Sequence, residues 1–487
     1  MLKPLVHTAG ALAVAALLSA CGTVGKDFVA PQGVDTSAYR HAAAESQGQA
    51  ARLPAQWWTV FNDATLTQLE ERAVRDNPNV RAAAERLVQA RAQLGVTRAG
   101  ELPTIGVSAG VSNSRTSAES PMGATFGHQS IKGTEYSVGA NFSYEIDLWG
   151  RVRRAVEAAD AQALAAQDDR DGVMLMLSGQ VATTYWQLRG LDAELAILNN
   201  ALATRRESQQ LIEARFNAGL SNELDVSRTR IERANAEADI QEVQRQRNTL
   251  EHALAVLVGA SPSQPMLAPG AGDAATALPQ PPAIPVGLPA SLLGQRPDLA
   301  ASVATLKAFN AQVGVAEGAY YPSVSLTGNF GYASETLSNL AQGSARQFSI
   351  GPLALSLPVF EGGRIRNNVN LAKARYDEAV ANHEARLLTA LREVEDALSD
   401  VQQRHQQGDV QAQAQQAAAR AVQVAQARFD RGVSTYLDVT DAQRSALAAD
   451  RAAAQIRTQR LLAAVSVARA LGGGWTQAAP EATVASR

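Results

Sequence analysis

Ala214-Arg215-Phe216-Asn217-Ala218-Gly219-Leu220-Ser221 returns 213 residues later as Ala427-Arg428-Phe429-Asp430-Arg431-Gly432-Val433-Ser434. Leu224-Asp225-Val226 returns as Leu437-Asp438-Val439, and Gly150-Arg151-Val152-Arg153 as Gly363-Arg364-Ile365-Arg366, at the same offset. Upstream the offset is 219: Pro78 pairs with Pro297, Ala92-Gln93-Leu94-Gly95-Val96 with Ala311-Gln312-Val313-Gly314-Val315, and Pro103 with Pro322. The two copies thus differ by six residues, all between Pro103 and Arg151. So long a period is a tandem duplication of one large motif and not a solenoid.

Proline placement divides each copy. No Pro occurs over 122–261 or 359–479, which permits very long helices, whereas 262–289 carries eight and reads as an extended linker. Leu177, Val181, Thr184, Leu188, Leu191, Leu195, Leu198 and Leu202 follow a 3.5-residue period, as do Ala236, Ile240, Val243, Arg247, Leu250, Leu254 and Leu257 on the returning segment. A helix over 151–218 would be about 100 Å long. Gly219 suits its left-handed cap, and Asn222 with Asp225, or Thr435 with Asp438, suits the start of the next helix.

Before each helical hairpin the period switches to two. Ile105, Val107, Ala109 and Val111 alternate with Gly106, Ser108, Gly110 and Ser112, and Val138, Ala140, Phe142 and Tyr144 follow a polar loop. In the second copy the strands are expected over Val324–Tyr332 and Phe348–Phe360, with loops at 113–135 and 333–347. Runs of this length and alternation suit membrane-crossing strands. Four strands cannot close a barrel, and an open edge cannot face lipid, so copies must pool them. A dimer would give eight strands and a trimer twelve; sequence physics does not choose.

The chain has 487 residues, net charge −3, 46% apolar and 5% aromatic residues, and one Cys. This excludes an internal disulfide and gives no reason for a nucleic-acid partner. Beyond residue 20 no apolar run is long enough for a membrane helix. Lys3, the apolar stretch 5–18 and Leu18-Ser19-Ala20-Cys21 read as an export signal. Leu-Ser-Ala-Cys resembles the bacterial lipobox, which implies a lipid on Cys21 as the first mature residue. Gly22 in place of Asp resembles lipoproteins sent on to the outer membrane. The only cofactor-like group expected is this covalent lipid. The six His are scattered without metal-ligand spacing. Gly106-Val107-Ser108-Ala109-Gly110 spells a nucleophile elbow, but it falls inside an alternating strand, so no enzyme is expected.

Tyr144-Glu145-Ile146-Asp147-Leu148-Trp149-Gly150-Arg151, Pro358-Val359-Phe360-Glu361-Gly362-Gly363-Arg364, Arg296-Pro297-Asp298-Leu299 and Tyr320-Tyr321-Pro322-Ser323-Val324-Ser325-Leu326 resemble the outer-membrane factor family. These are the TolC-like, and more closely OprM-like, lipoproteins of resistance-nodulation-division efflux systems. The resemblance covers roughly 55–475. It implies a mainly α fold with a transmembrane β part: a homotrimeric twelve-stranded outer-membrane barrel, four strands per chain, continued by a periplasmic helical coiled-coil tube. It also implies a periplasmic adaptor, an inner-membrane pump, and passive exit of drugs or other small compounds. The rival reading is a lipid-anchored coiled-coil structural or adhesive protein without a pore.

The expected organisation is a signal at 1–20, an extended lipid-anchored segment at 21–60, and a first repeat at 61–261 with β-hairpin 104–147 and helical hairpin 151–259. After the linker 262–289 comes a second repeat at 290–475 with β-hairpin 322–360 and helical hairpin 364–472, then a tail at 476–487. By resemblance Phe429, Leu437, Asp438, Asp441 and Arg444 match periplasmic gate positions and Asp225 a first-copy partner; Arg228, the counterpart of Asp441, is available with Arg444 to neutralise an acidic ring. Asp225 and Asp438 equally fit helix capping, and Asp441 with Arg444 fits a surface pair. Gly219, Leu220, Ser221, Gly432, Val433 and Ser434 are candidates for adaptor docking, although Gly219 and Gly432 equally fit helix-turn glycines with no further role. Trp149, Arg151, Arg153, Arg154, Arg364 and Arg366 sit where strands become helices. Cations oppose the helix dipole there, so another reason is needed: contact with lipid phosphates at the membrane interface, or equally a solvated basic ring.

Overall fold

The computed structural model describes residues 23–30, 39–41, 53–267, 278–284, 294 and 296–476. Cys21, the signal, most of the Pro-rich linker and the tail beyond 476 lie outside the described residues.

The two copies give the same succession of elements. The first runs α1 (Ala64–Asp76), α2 (Pro78–Arg98), β1 (Thr104–Arg115), α3 (Pro121–Thr125), β2 (Lys132–Ile146), α4 (Arg151–Asn217) and α5 (Glu223–Leu257). The second runs α6 (Pro297–Gly318), β3 (Ser323–Ser334), β4 (Arg346–Ser356), α7 (Arg364–Asp430) and α8 (Tyr436–Ala470). The paired prolines 78 and 297 each open a helix, where a missing N–H costs nothing. The long helices match residue for residue: α4 and α7 each have 67 residues, α5 and α8 each 35. The first copy's extra length lies mostly in the loop between β1 and β2, 116–131 against 335–345 in the second copy; the longer loop folds α3, with Ser120 accepting from the Gly123 N–H at 3.1 Å.

Residues cluster into two compact units, one built from 1–31, 87–165 and 302–382, the other from 32–86, 166–301 and 383–487. The first unit holds one antiparallel sheet in the order β1-β2-β3-β4. Its register sorts side chains by polarity. Ile105 stands opposite Phe142, Val107 opposite Ala140 and Ala109 opposite Val138, and this face continues through Tyr144 with Leu326, Ala140 with Phe330, and Phe330 with Phe348. The other face pairs Gly106 with Asn141, Ser108 with Gly139, Asn141 with Asn329, and Asn329 with Ser349. Opposed residues share a face, so one side of the sheet is apolar and the other polar or small. The apolar side is bare: Val107 is 80% and Ile350 84% exposed. β1 and β4 are edge strands, each with one row of backbone groups outside the sheet's ladder.

The strands reach further into the polar loops than the hydrophobic pattern indicated, because pairing continues with polar residues: Asn113 Nδ2 donates to Thr134 Oγ1 at 2.8 Å. β4 instead stops at Ser356, short of the expected Phe360; Pro358, which cannot donate to a ladder, follows it. Among the described residues no helix is long and apolar enough to cross a membrane.

The second unit is held by the heptad seams. Leu177, Val181, Leu188, Leu198 and Leu202 are buried along α4, as are Ala236, Val243 and Leu254 along α5. Trp57, Trp58 and Phe61 pack into the same core from a 3-10 turn at Trp57–Phe61, within a segment expected to be extended. The Trp57 indole donates to Ser178 Oγ at 3.0 Å, so its polar end is satisfied although the ring is 1% exposed. Arg247, a heptad position, is buried too; it meets Asp192 at 2.7 Å and Glu251 at 2.8 Å. A buried ion pair of this kind adds little net stability but penalises any slip of register that would strand its charges.

Candidate functional site

The repeated sequence folds into two matching turns. Gly219 at φ +72 and Gly432 at φ +73 take the left-handed conformation that ends α4 and α7. The N–H groups of Leu220 and Val433 reach back to the carbonyls of Arg215 and Arg428 at 2.8 and 3.0 Å. The next helices are capped by the expected pairs. The Asp225 N–H donates to Asn222 Oδ1 at 2.9 Å, while the Thr435 N–H and hydroxyl both donate to the Asp438 carboxylate, at 3.1 and 3.2 Å. Asn222 thus caps α5 through its own side chain, whereas at α8 the Asp438 carboxylate completes a capping box with Thr435. Asp225 also accepts from Asn222 Nδ2 at 3.0 Å and pairs with Arg228 at 3.5 Å.

The two turns pack on one another through Ile212, Val226, Phe429, Tyr436 and Val439. Phe429, expected as a gate residue, lies inside this cluster: its ring meets Tyr436 edge-on at 5.6 Å and carries the Arg215 guanidinium 5.0 Å above it. Within one chain it is structural, and its repeat counterpart Phe216 is the exposed one, at 42%. Leu437, Asp438 and Asp441 remain on the surface. Arg444 sits 3.6 Å from Asp441. Its closer partner is Glu232 on α5, whose other oxygen lies 3.3 Å from Arg205 on α4. One heptad further along, Arg451 joins Glu194 at 2.7 Å and Asp239 at 3.3 Å. Sequence reading missed Glu232, Glu194 and Asp239 because it compared like residues between the copies; for Glu232 and Asp239 the signal was complementary charge at an offset of 212, whereas Glu194 lies 257 residues from Arg451 and carried none.

Of the docking candidates, Gly219, Leu220, Gly432 and Val433 are exposed, with Leu220 at 70% and Val433 at 63%, and nothing stands within 4 Å of a Cβ added at either glycine. Ser221 and Ser434 are half-buried, Ser221 donating to Asp225 at 3.4 Å.

At the strand-to-helix junction Trp149 donates to the Pro322 carbonyl at 2.8 Å and its ring lies 5.1 Å from Tyr321. Asp147 caps α4, accepting from the Val152 and Arg153 N–H groups at 3.1 and 2.9 Å. Arg151 pairs with Glu145 at 2.8 Å, Arg153 with Asp147 at 3.4 Å, and Arg364 with Glu361. Arg364 and Arg366 are exposed. Arg154, expected at the membrane interface, is instead turned into the chain: its side chain is 6% exposed, and four of its five N–H groups go to the Val24 and Gly25 carbonyls and the Asp27 and Glu157 carboxylates. Ser108 lies in mid-strand opposite Gly139, far from the sharp strand-to-helix turn a nucleophile elbow needs.

Two buried carboxylates stand apart from these sites. Burial, with the charges of Asp171 and Asp169 adding to it, pushes Asp168 up to about 7, and burial holds Glu70 well above the usual carboxylate range.

The sequence model of the family described as "Outer membrane efflux protein" matches the chain twice, over 69–260 and 288–473. Outer membrane protein OprJ of Pseudomonas aeruginosa is 35% identical over 480 residues, 96% of either chain. The solvent efflux pump outer membrane protein SrpC of Pseudomonas putida is 33% identical over 421 residues, 85% of this chain and 87% of the other. The solved outer-membrane channel OprN superposes with a TM-score of 0.84 at 32% identity, covering 93% of this chain and all of that one. With its duplicated halves, four antiparallel strands and long helical hairpins, the chain belongs to the outer membrane efflux protein family, a family of transport channels and not of enzymes.

Proposed function

We propose that this outer-membrane efflux channel works as a homotrimer, the exit duct of a tripartite pump. Three copies pool their sheets into a twelve-stranded barrel, and the duct passively receives drugs or other small compounds from a periplasmic adaptor and a resistance-nodulation-division inner-membrane pump. The observation that carries this reading is the register. A four-stranded sheet with one apolar face, one polar face and two unpaired edges suits a segment of a closed wall with lipid on one side and water on the other, and three such segments supply the twelve strands. A coiled coil without a pore leaves that sorting unexplained.

The lipid on Cys21 anchors the chain to the outer membrane. At the periplasmic end, Leu437, Asp438 and Asp441 from three copies form an apolar and acidic constriction. Asp225, Arg228 and Arg444 set its charge, and Phe429 supports it from behind. Adaptor hairpins dock on Gly219, Leu220, Ser221, Gly432, Val433 and Ser434, where small and exposed residues admit another backbone. Trp149, Arg151, Arg153, Arg364 and Arg366 mark the membrane surface.

Negative-stain electron microscopy of the detergent-solubilised protein, with its mass in solution from the same sample, tests the assembly. A hollow threefold particle of three chains is expected; solid rods or monomers overturn the reading.

A further inference from the structure

Arg154 is placed where a cation is doubly disfavoured, buried and in the first turns of α4. It is compensated by the chain's own N-terminal strap. Its Nε donates to the Val24 carbonyl at 3.1 Å, and its Nη2 to the Gly25 carbonyl at 3.0 Å and the Asp27 carboxylate at 2.8 Å; Nη1 is held by Glu157 at 2.7 Å. The strap is tied at two more points. The Val24 N–H donates to the Trp149 carbonyl at 2.9 Å, and Asn310 Nδ2 donates to the Lys26 carbonyl at 2.9 Å. The fit is close. Gly25 has φ +88, and a Cβ there would stand 2.7 Å from Gly314 Cα; a Cβ on Gly150 would stand 2.1 Å from the Thr23 methyl.

This is a heavy investment in five residues that begin two positions after Cys21. Two residues of extended chain span at most ~7 Å, so whatever Cys21 carries is delivered within that distance of Thr23. The socket itself is built where β2 ends and α4 begins, the level at which membrane-crossing strands give way to helices.

We propose that Trp149, Gly150, Arg154, Asn310 and Gly314 form a seat for the lipid anchor, with Arg154 as its positioning residue. The socket fastens residues 23–27 so that the acyl chains of Cys21 enter the bilayer beside the strand-to-helix junction. The lipid then holds the strands at the depth they must reach, and speeds their insertion by confinement rather than by loose tethering. The inference rests on the reading of Cys21 as lipidated.

A double-mutant cycle in cells separates the two. Arg154→Met, which keeps the side-chain volume, is made in the full-length protein and in a Cys21→Ser form exported by a non-lipoprotein signal in place of residues 1–20. The readouts are incorporation of labelled palmitate and the rate at which newly made chains acquire the heat-modifiable mobility of a folded barrel. In the acylated protein, Arg154→Met is expected to leave palmitate labelling intact and to slow folding at least threefold, about as much as Cys21→Ser. In the Cys21→Ser form it adds less than a twofold change. Equal slowing in both forms, or none in the acylated one, overturns the seat while leaving the lipid in place. Absence of palmitate from the unmutated protein overturns the lipid reading and the seat with it. Asn310→Ala, which removes a single strap hydrogen bond, is expected to show the same dependence on acylation with a smaller effect, and an effect independent of acylation overturns the proposal.

Discussion

Arg444 and Glu232 lie 212 residues apart in the chain and meet guanidinium to carboxylate, the second oxygen of Glu232 lying 3.3 Å from Arg205. One nearly buried carboxylate thus joins α4, α5 and α8 just above the paired turns. If the turns close the duct, this junction holds α8 inward. Arg444→Ala leaves Glu232 with Arg205 and removes about 1 kcal/mol, since the Arg444 side chain is half-exposed and screened. Single-channel conductance and uptake of a large antibiotic are expected to rise several-fold with little change in thermal stability. Unchanged values would remove the pair from the gate.

Asp441→Asn separates charge from shape. Asp441 is exposed and its only described ion pair is with Arg444 at 3.6 Å, so the substitution leaves the fold alone and removes one negative charge per chain. Lower selectivity for cations, read from reversal potentials in a salt gradient, is the expected result.

The two faces of β1 give opposite answers to the same charge. Val107→Asp places a carboxylate on the apolar face, and is expected to cost about 2 kcal/mol and to lower the yield of inserted protein. Ser108→Asp, one residue on, faces the polar side and is expected to insert normally while shifting ion selectivity. Equal damage from both would refute the assignment of lipid and water faces.

Gly219 and Gly432 need two substitutions each, because their left-handed backbone is strained by any ordinary side chain. Asn tolerates that conformation, so Gly432→Asn controls for strain, and Gly432→Trp adds bulk. Export in a drug-susceptibility assay is expected to survive the first and fail in the second, with oligomers intact in both. Survival of export in both would move docking elsewhere.

Asp168 makes stability depend on pH in an unusual direction. Its folded value of about 7 lies above the ordinary 3.8, so the folded state binds a proton more readily than the unfolded one. The stabilisation is complete below pH 4 and is lost as pH rises toward 7 and beyond, when a charge must form in a buried place. Asp168→Asn is expected to raise the melting temperature at pH 8 and to flatten its rise between pH 8 and pH 5 in differential scanning fluorimetry.

What could be read from sequence was what the chain says twice. The helix bounds, the Gly219 and Gly432 caps and the Asn222 and Thr435 starts follow from local rules that act alike in each copy. What escaped depends on two segments meeting. Phe216 and Phe429 occupy equivalent positions in the sequence, yet one is exposed and the other buried, because packing of one turn on the other breaks their equivalence. Arg154 read as one more interfacial cation because its partners, Val24, Gly25 and Asp27, lie about 130 residues earlier in a strap with no periodic signal.

The unpaired outer edges of β1 and β4 also bear on genetics. A ring closed by joining the β1 of one chain to the β4 of the next has no spare seam, so every member must present two sound edges. With three chains per ring, equal co-expression of a normal chain and one whose β4 edge is blocked by proline leaves roughly one ring in eight wholly normal. Edge lesions should therefore be dominant, whereas lesions that unfold the chain before it meets its neighbours should be recessive.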